Sequence, residues 1–173
     1  MNVLVGLQNV KAFVFDMDGV LTDGSLIVDY ENKWLRTMNI KDGYALQLAA
    51  KTGYHIAIIS GSDAPPVVER LHKLGITDVF MKVTDKKSLL EKYMIDNALP
   101  AGQVLFMGDD IPDYECMQTA GFASCPADAA IEIRQLCSYI SPFKGGHGCV
   151  RDVIEKVMKL NNHWPLHTSF TST

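Results

Sequence analysis

Lys11-Ala-Phe-Val-Phe-Asp16-Met-Asp-Gly19 is the stretch that decides the fold. Ala12 to Phe15 are apolar without interruption, the pattern of a strand buried on both faces. Two carboxylates separated by one residue leave its end, and Gly19 lets the chain turn at once. Side chains alternate along a strand, but the alternation lapses as the chain leaves the sheet. One carboxylate can then attack while the other handles protons. Alone, Asp-x-Asp-Gly is a weak signal, since turns are rich in Asp and Gly. Three more pieces follow in order: Ser60-Gly61 after the apolar run Ile56–Ile59, then Lys86, then Gly108-Asp109-Asp110 with Asp113 after Val104–Met107.

Outward from that stretch, apolar runs alternate with helical periodicity. The pattern predicts strands at 11–16, 55–59, 78–81, 103–107 and 121–124, with a weaker one at 138–140. Helices are expected over 43–52, 63–74, 86–97, 111–119, 128–136 and 149–159. Strands separated by helices of this length imply right-handed crossovers and a parallel sheet covered on both faces, hence one α/β domain over residues 1–173. Residues 25–40 break the rhythm. Ser-Leu-Ile-Val-Asp, a polar turn at Tyr30-Glu-Asn-Lys33 and Trp34-Leu-Arg-Thr-Met read as a β-hairpin inserted after the first strand. Such a pair is marginal alone, so Leu26, Val28, Trp34 and Leu35 should pack on the parent domain or on another subunit. The tail at 161–173 has no helical period, and Trp164 and Phe170 within it are candidates to fold over a neighbouring site.

Composition excludes several classes. A chain of 173 residues with a hydrophobic content of 47% can bury a full core and is not disordered. Its net charge of −4, without a basic cluster, gives no footing for nucleic acid. No apolar run reaches the roughly 20 residues that span a membrane, and the N-terminus lacks the basic region of a secretory signal. Cys116, Cys125, Cys137 and Cys149 form no close pair, so zinc is not expected, and reduced thiols in a cytoplasm are.

Asp16, Asp18, Asp109, Asp110 and Asp113 all fall at strand carboxyl ends in this reading, where open α/β sheets bind ligands. Two like charges about 4 Å apart repel by roughly 4 kcal/mol at an effective dielectric near 20. Such a cluster needs a cation or must take up protons. All-oxygen donors with few fixed ligands suit magnesium. Ser60-Gly61 adds a hydroxyl and a backbone N–H for a phosphate oxygen, and Lys86 a positive charge at a helix start. Together they point to phosphoryl transfer, in which a carboxylate can take the phosphoryl group covalently.

These motifs resemble the four signatures of the haloacid dehalogenase superfamily of phosphatases, and the resemblance covers residues 10–160. It implies a Rossmann-like three-layer sandwich, Mg2+ and an aspartyl-phosphate intermediate. Carried over by motif, Asp16 is nucleophile and metal ligand. Asp18 is acid then base and binds the metal through its carbonyl, and Asp109 is the third ligand. Ser60, Gly61 and Lys86 hold phosphoryl oxygens; Asp110 and Asp113 orient metal waters and Lys86. The gaps between motifs leave no room for a cap domain. That, with the hairpin, Asn39-Ile40-Lys41-Asp42-Gly43 and Gly145-Gly-His-Gly148, is similar to the capless phosphatases of 3-deoxy-D-manno-octulosonate 8-phosphate and of nine-carbon sugar acids.

In that subgroup hairpins from four subunits form a barrel and each site is completed by a neighbour. The resemblance therefore implies a homotetramer with shared sites, a sugar acid phosphate as substrate, and Asn39 to Gly43 with Arg70 as substrate contacts. An eight-carbon substrate places the chain in lipopolysaccharide precursor synthesis. Ser62 and Gln47 stand where many members carry basic residues, which leaves the nine-carbon alternative open; Lys41 and Arg70 remain to meet a carboxylate. A phospho-accepting receiver domain uses similar residues in a different order, with its acidic pair first, its phosphorylated Asp mid-chain and its Lys last.

Overall fold

The computed structural model describes residues 3–31 and 34–165. After helix α1 (Val3–Asn9), β1 (Ala12–Phe15) leads into the hairpin strands β2 (Ile27–Val28) and β3 (Trp34–Leu35), which pair antiparallel. There follow α2 (Ile40–Lys51), β4 (His55–Ile59), α3 (Pro65–Lys73), β5 (Asp78–Phe80), α4 (Lys86–Asp96) and β6 (Val104–Met107). Then come α5 (Tyr114–Thr119), β7 (Phe122–Cys125), α6 (Ile131–Leu136), β8 (Tyr139–Ile140) and α7 (Cys149–Leu160).

Six strands form one sheet in the order β5-β4-β1-β6-β7-β8, every pair parallel. β1 is central, with Phe15 level with Ile58 on one side and Met107 on the other. The chain winds outward from β1 in one direction through β5, then returns to its other flank with β6. That reversal opens a crevice at the strand carboxyl ends, where Asp16 and Gly108 emerge side by side.

Alternation along the strands sorts the core into two layers. Phe13, Phe15, Ile58, Met107 and Phe122 face α1, α2, α3 and α7. Val14, Ile59, Val104 and Phe106 face α4, α5 and α6. This three-layer arrangement is the Rossmann-like α/β fold, and it explains why β1 carries no polar alternation.

All six sheet strands lie within a residue or so of the expected ranges. Helix α2 begins three residues early because Asn39 Oδ1 accepts the N–H groups of Lys41 (2.8 Å) and Asp42 (3.4 Å), a side-chain N-cap. The helix expected at 111–119 opens as a 3₁₀ turn over Ile111–Asp113. That expected at 128–136 starts at Ile131, and α1 had no counterpart in the sequence reading.

The hairpin is present with short arms. Ile27, Val28, Trp34 and Leu35 remain 50–63% exposed, so its apolar side chains do not settle on the parent domain. Asn32 and Lys33 of its turn, and 166–173 of the tail including Phe170, lie outside the described residues. Among the described residues no helix is long and apolar enough to cross a membrane.

Candidate active site

Asp16 extends β1 by one residue, its N–H donating to Met107 O (3.0 Å), and its side chain is buried at the sheet edge. Lys86, at the start of α4, donates to Asp16 Oδ1 and to Asp113 Oδ1, each at 2.7 Å. The Asp85 side chain caps that helix through Ser88 N–H (2.9 Å), which fixes where Lys86 projects. Asp113 is almost fully buried and uses its second oxygen to accept Asp109 N–H at 3.1 Å. Carboxylate oxygens of Asp16, Asp109 and Asp113 gather within 4.8 Å of one another. Since both oxygens of Asp113 already accept bonds, Asp16 and Asp109 have the lone pairs left for a cation.

Burial pushes the Asp16 carboxyl up to about 7; the Asp113 charge adds to this and Lys86 opposes it. Asp109 is likewise raised to about 7 by burial and then by Asp113 and Asp110. Lys86 goes the other way from what its burial alone would do, because Asp16 and Asp113 hold its proton firmly. One buried cation thus faces more negative charge than it can neutralise, which is the electrostatic demand for a divalent ion.

Asp18 sits in the tight turn after β1 and behaves differently. Burial pushes its carboxyl up, but hydrogen bonds from Arg36 and Ser62 together with the Arg36 charge outweigh this and hold it below the usual range. Ser62 Oγ donates to Oδ2 at 2.7 Å and Thr22 Oγ1 to Oδ1 at 3.3 Å. Gly19, at φ +85°, makes the turn possible twice over. A Cβ there would stand 2.0 Å from Asp109 Oδ2, so only a glycine lets the two loops touch. From behind, Gly145 presses on the same turn: its Cβ would lie 1.9 Å from Gly19 O, and Gly146 N–H donates to Val20 O (2.9 Å). The Gly145–Gly148 segment is therefore a clamp on the carboxylate loop as well as the lead into α7.

Asp16, Asp18, Ser60, Gly61, Ser62, Lys86, Asp109, Asp110 and Asp113 line one cleft of about 350 Å³. Ser60 is buried, and its Oγ accepts Ser62 N–H at 3.1 Å. Asp110 is exposed and accepts Ile111 N–H at 2.8 Å. Arg70 lies in an adjoining groove of about 290 Å³ with Trp34, Arg36 and Met38, while Ile40 and Lys41 are exposed at the start of α2.

One candidate contact is corrected. Asp42 is buried and accepts Gly148 N–H (3.2 Å) and Arg151 N–H (2.7 Å), so it caps α7 from across the fold instead of meeting substrate. Asp42→Ala is expected to cost about 1–2 kcal/mol in urea unfolding with little change in turnover. A loss of turnover without a loss of stability would return Asp42 to the substrate site.

Arg36 is the site residue that sequence reasoning missed. Its guanidinium bonds both Asp18 oxygens, yet the partners are eighteen residues apart across an inserted hairpin. The one available signal was an arginine on an otherwise apolar arm, Trp34-Leu35-Arg36.

No family model matches the chain. The 3-deoxy-D-manno-octulosonate 8-phosphate phosphatase KdsC of Escherichia coli K12 is 29% identical over 157 residues, spanning 91% of this chain and 84% of that protein. The crystal structure of the Yersinia pestis phosphatase of the same name superposes with a TM-score of 0.90 at 27% identity, over 93% of this chain and 87% of its own. The Moraxella catarrhalis phosphatase, solved with magnesium, phosphate and a KDO molecule, is 30% identical over 93% of both chains with a TM-score of 0.89. The chain belongs to this family of haloacid dehalogenase phosphatases.

It is a phosphoric monoester hydrolase, and the receiver-domain alternative falls with that assignment. The oxygen-only donors of the cleft at β1 and β6 fit a hard divalent ion, as the magnesium of the Moraxella structure does.

Proposed function

We propose that this phosphatase hydrolyses 3-deoxy-D-manno-octulosonate 8-phosphate, as a single domain over residues 1–173, through a phosphorylated Asp16. The observation that carries the reading is the buried cluster of Asp16, Lys86, Asp113 and Asp109 beside Asp18. Asp16, Asp109 and the main-chain carbonyl of Asp18 would hold Mg2+, which supplies positive charge to the transferring phosphoryl group. Asp16 Oδ bonds to phosphorus as the ester P–O bond breaks, and the departing sugar oxygen takes a proton from Asp18. Water then attacks the same phosphorus, returning a proton to Asp18 and freeing Asp16 and inorganic phosphate. Ser60, Gly61 and Lys86 bind the phosphoryl oxygens. Asp113 steers Lys86, and Asp110 would hold water beside the ion.

The sugar would extend from the cleft toward Asn39, Ile40, Lys41 and Gly43 and the Arg70 groove, where Lys41 and Arg70 supply charge for its carboxylate. Ser62 and Gln47, in place of the basic residues many members carry, keep open a second reading with a nine-carbon acid 9-phosphate. Steady-state kcat/KM on both compounds tests the choice. A preference above about tenfold for the nine-carbon ester overturns the first reading.

The exposed hairpin supports a homotetramer built on Ile27, Val28, Trp34 and Leu35, with each site finished by a neighbour. An apolar strand pair left this open to water calls for a partner. Deleting Asp29–Asn32 is expected to reduce the assembly's mass by light scattering. An unchanged mass would place the contact elsewhere.

A further inference from the structure

We infer that Arg36 is the positioning residue of Asp18, so that the hairpin arm takes part in leaving-group protonation; this rests on Asp18 being the proton donor proposed above. Arg36 follows directly on β3, yet its side chain is only 4% exposed, against 31% for Asp18. Nε donates to Oδ1 at 2.7 Å and Nη2 to Oδ2 at 3.1 Å. This two-pronged contact fixes the plane of the carboxyl group, which a single hydroxyl cannot do. Ser62 and Thr22 add one donor to each oxygen from two other segments.

A guanidinium buried to this degree is costly unless paired, and Asp18 is the carboxylate that answers it. Arginine keeps its proton throughout, so it transfers none itself. Its charge also favours the ionised Asp18 carboxylate over the acid the leaving oxygen needs, a cost that the gain in aim must outweigh. Thr22 also accepts from Gly19 N–H (3.4 Å) and Gly24 N–H (3.3 Å), which ties the carboxyl to the backbone of the turn that carries it. Aim at the leaving oxygen is thus set by a residue outside the four signature motifs.

The test compares kcat/KM on two esters, a measure that covers the steps up to departure of the alcohol. Glycerol 2-phosphate needs a proton on its leaving oxygen and carries no carboxylate; p-nitrophenyl phosphate releases a stable phenolate unaided. Arg36→Met is expected to lower the first by about 100-fold and the second by less than about 5-fold. Arg36→Lys, with charge but no fork, should recover part of the difference. On an Asp18→Asn background, Arg36→Met should add less than about threefold on either ester.

Equal falls on both esters would overturn the inference, as would a loss confined to carboxylate-bearing substrates, which would make Arg36 a substrate contact. If Asp18→Asn itself spares glycerol 2-phosphate, the donor reading fails and this one with it. If Asp18→Asn shows the bias and Arg36→Met does not, only the role of Arg36 is lost. Should Arg36→Met fail to fold by circular dichroism, Arg36→Lys and Ser62→Ala carry the same comparison, and an unbiased fall in Arg36→Lys decides against it.

Discussion

Asp16→Asn is expected to lose at least about 10⁴-fold in kcat while folding and assembling as the wild type does. The argument begins with charge. An amide of the same shape keeps the packing of β1 and can still accept from Lys86, but it offers no carboxylate to attack phosphorus. Lys86 would then be balanced by Asp113 alone, and the neutral amide relieves part of the crowding that pushes Asp16 and Asp109 upward. Stability should therefore hold or rise in chelator while turnover disappears. Unfolding midpoints and single-turnover phosphate release, measured on the same preparation, separate the two effects. Retention of more than about 1% of the wild-type rate would remove Asp16 from its proposed role as nucleophile.

What the sequence disclosed follows from how far apart the interacting partners lie. β1, β4 and β6 were legible because a strand buried on both faces must be apolar throughout, and that signal is local. Asp16, Ser60, Lys86 and Asp109 were legible because each sits one or two steps beyond an apolar run or at a helix start, positions the topology forces to one edge. Arg36 was not, since its burial exists only after the hairpin folds back onto the turn at Asp18. Asp42 misled for the same reason: beside Lys41 and Gly43 it reads as an exposed helix start, and its partners at Gly148 and Arg151 are more than a hundred residues away. Helix α1 is short, with Leu4 and Val5 exposed and Gly6 and Leu7 buried, so no clear apolar period marks it. The Gly145–Gly148 segment entered only through the family resemblance; its close approach to Gly19 is a tertiary fact.

Magnesium should reverse how stability depends on pH. In chelator, the folded protein holds Asp16 and Asp109 at about 7, against 3.8 for an unperturbed aspartate. Between those values the folded state binds more protons than the unfolded one, so stability must increase as pH falls from about 7.5 toward 5. Each unit of difference is worth about 1.4 kcal/mol, which makes the swing on the order of a few kcal/mol. Below about pH 4 the trend turns over, because Asp18, held low chiefly by Arg36 against its burial, begins to lose its charge and its ion pair. With the ion present the carboxylates are wanted ionised, and protons compete with it. Magnesium at about 100 times its dissociation constant adds about 2.7 kcal/mol near pH 7.5, and less at pH 5. The chelated curve should therefore slope upward on acidification while the magnesium curve flattens or falls, with hydrolysis absent in the first and restored in the second. Thermal unfolding across pH 5–8 in both conditions reads this directly. Two parallel curves would mean that the carboxylates at β1 and β6 are not what the ion neutralises, and the electrostatic basis of the site would have to be sought elsewhere.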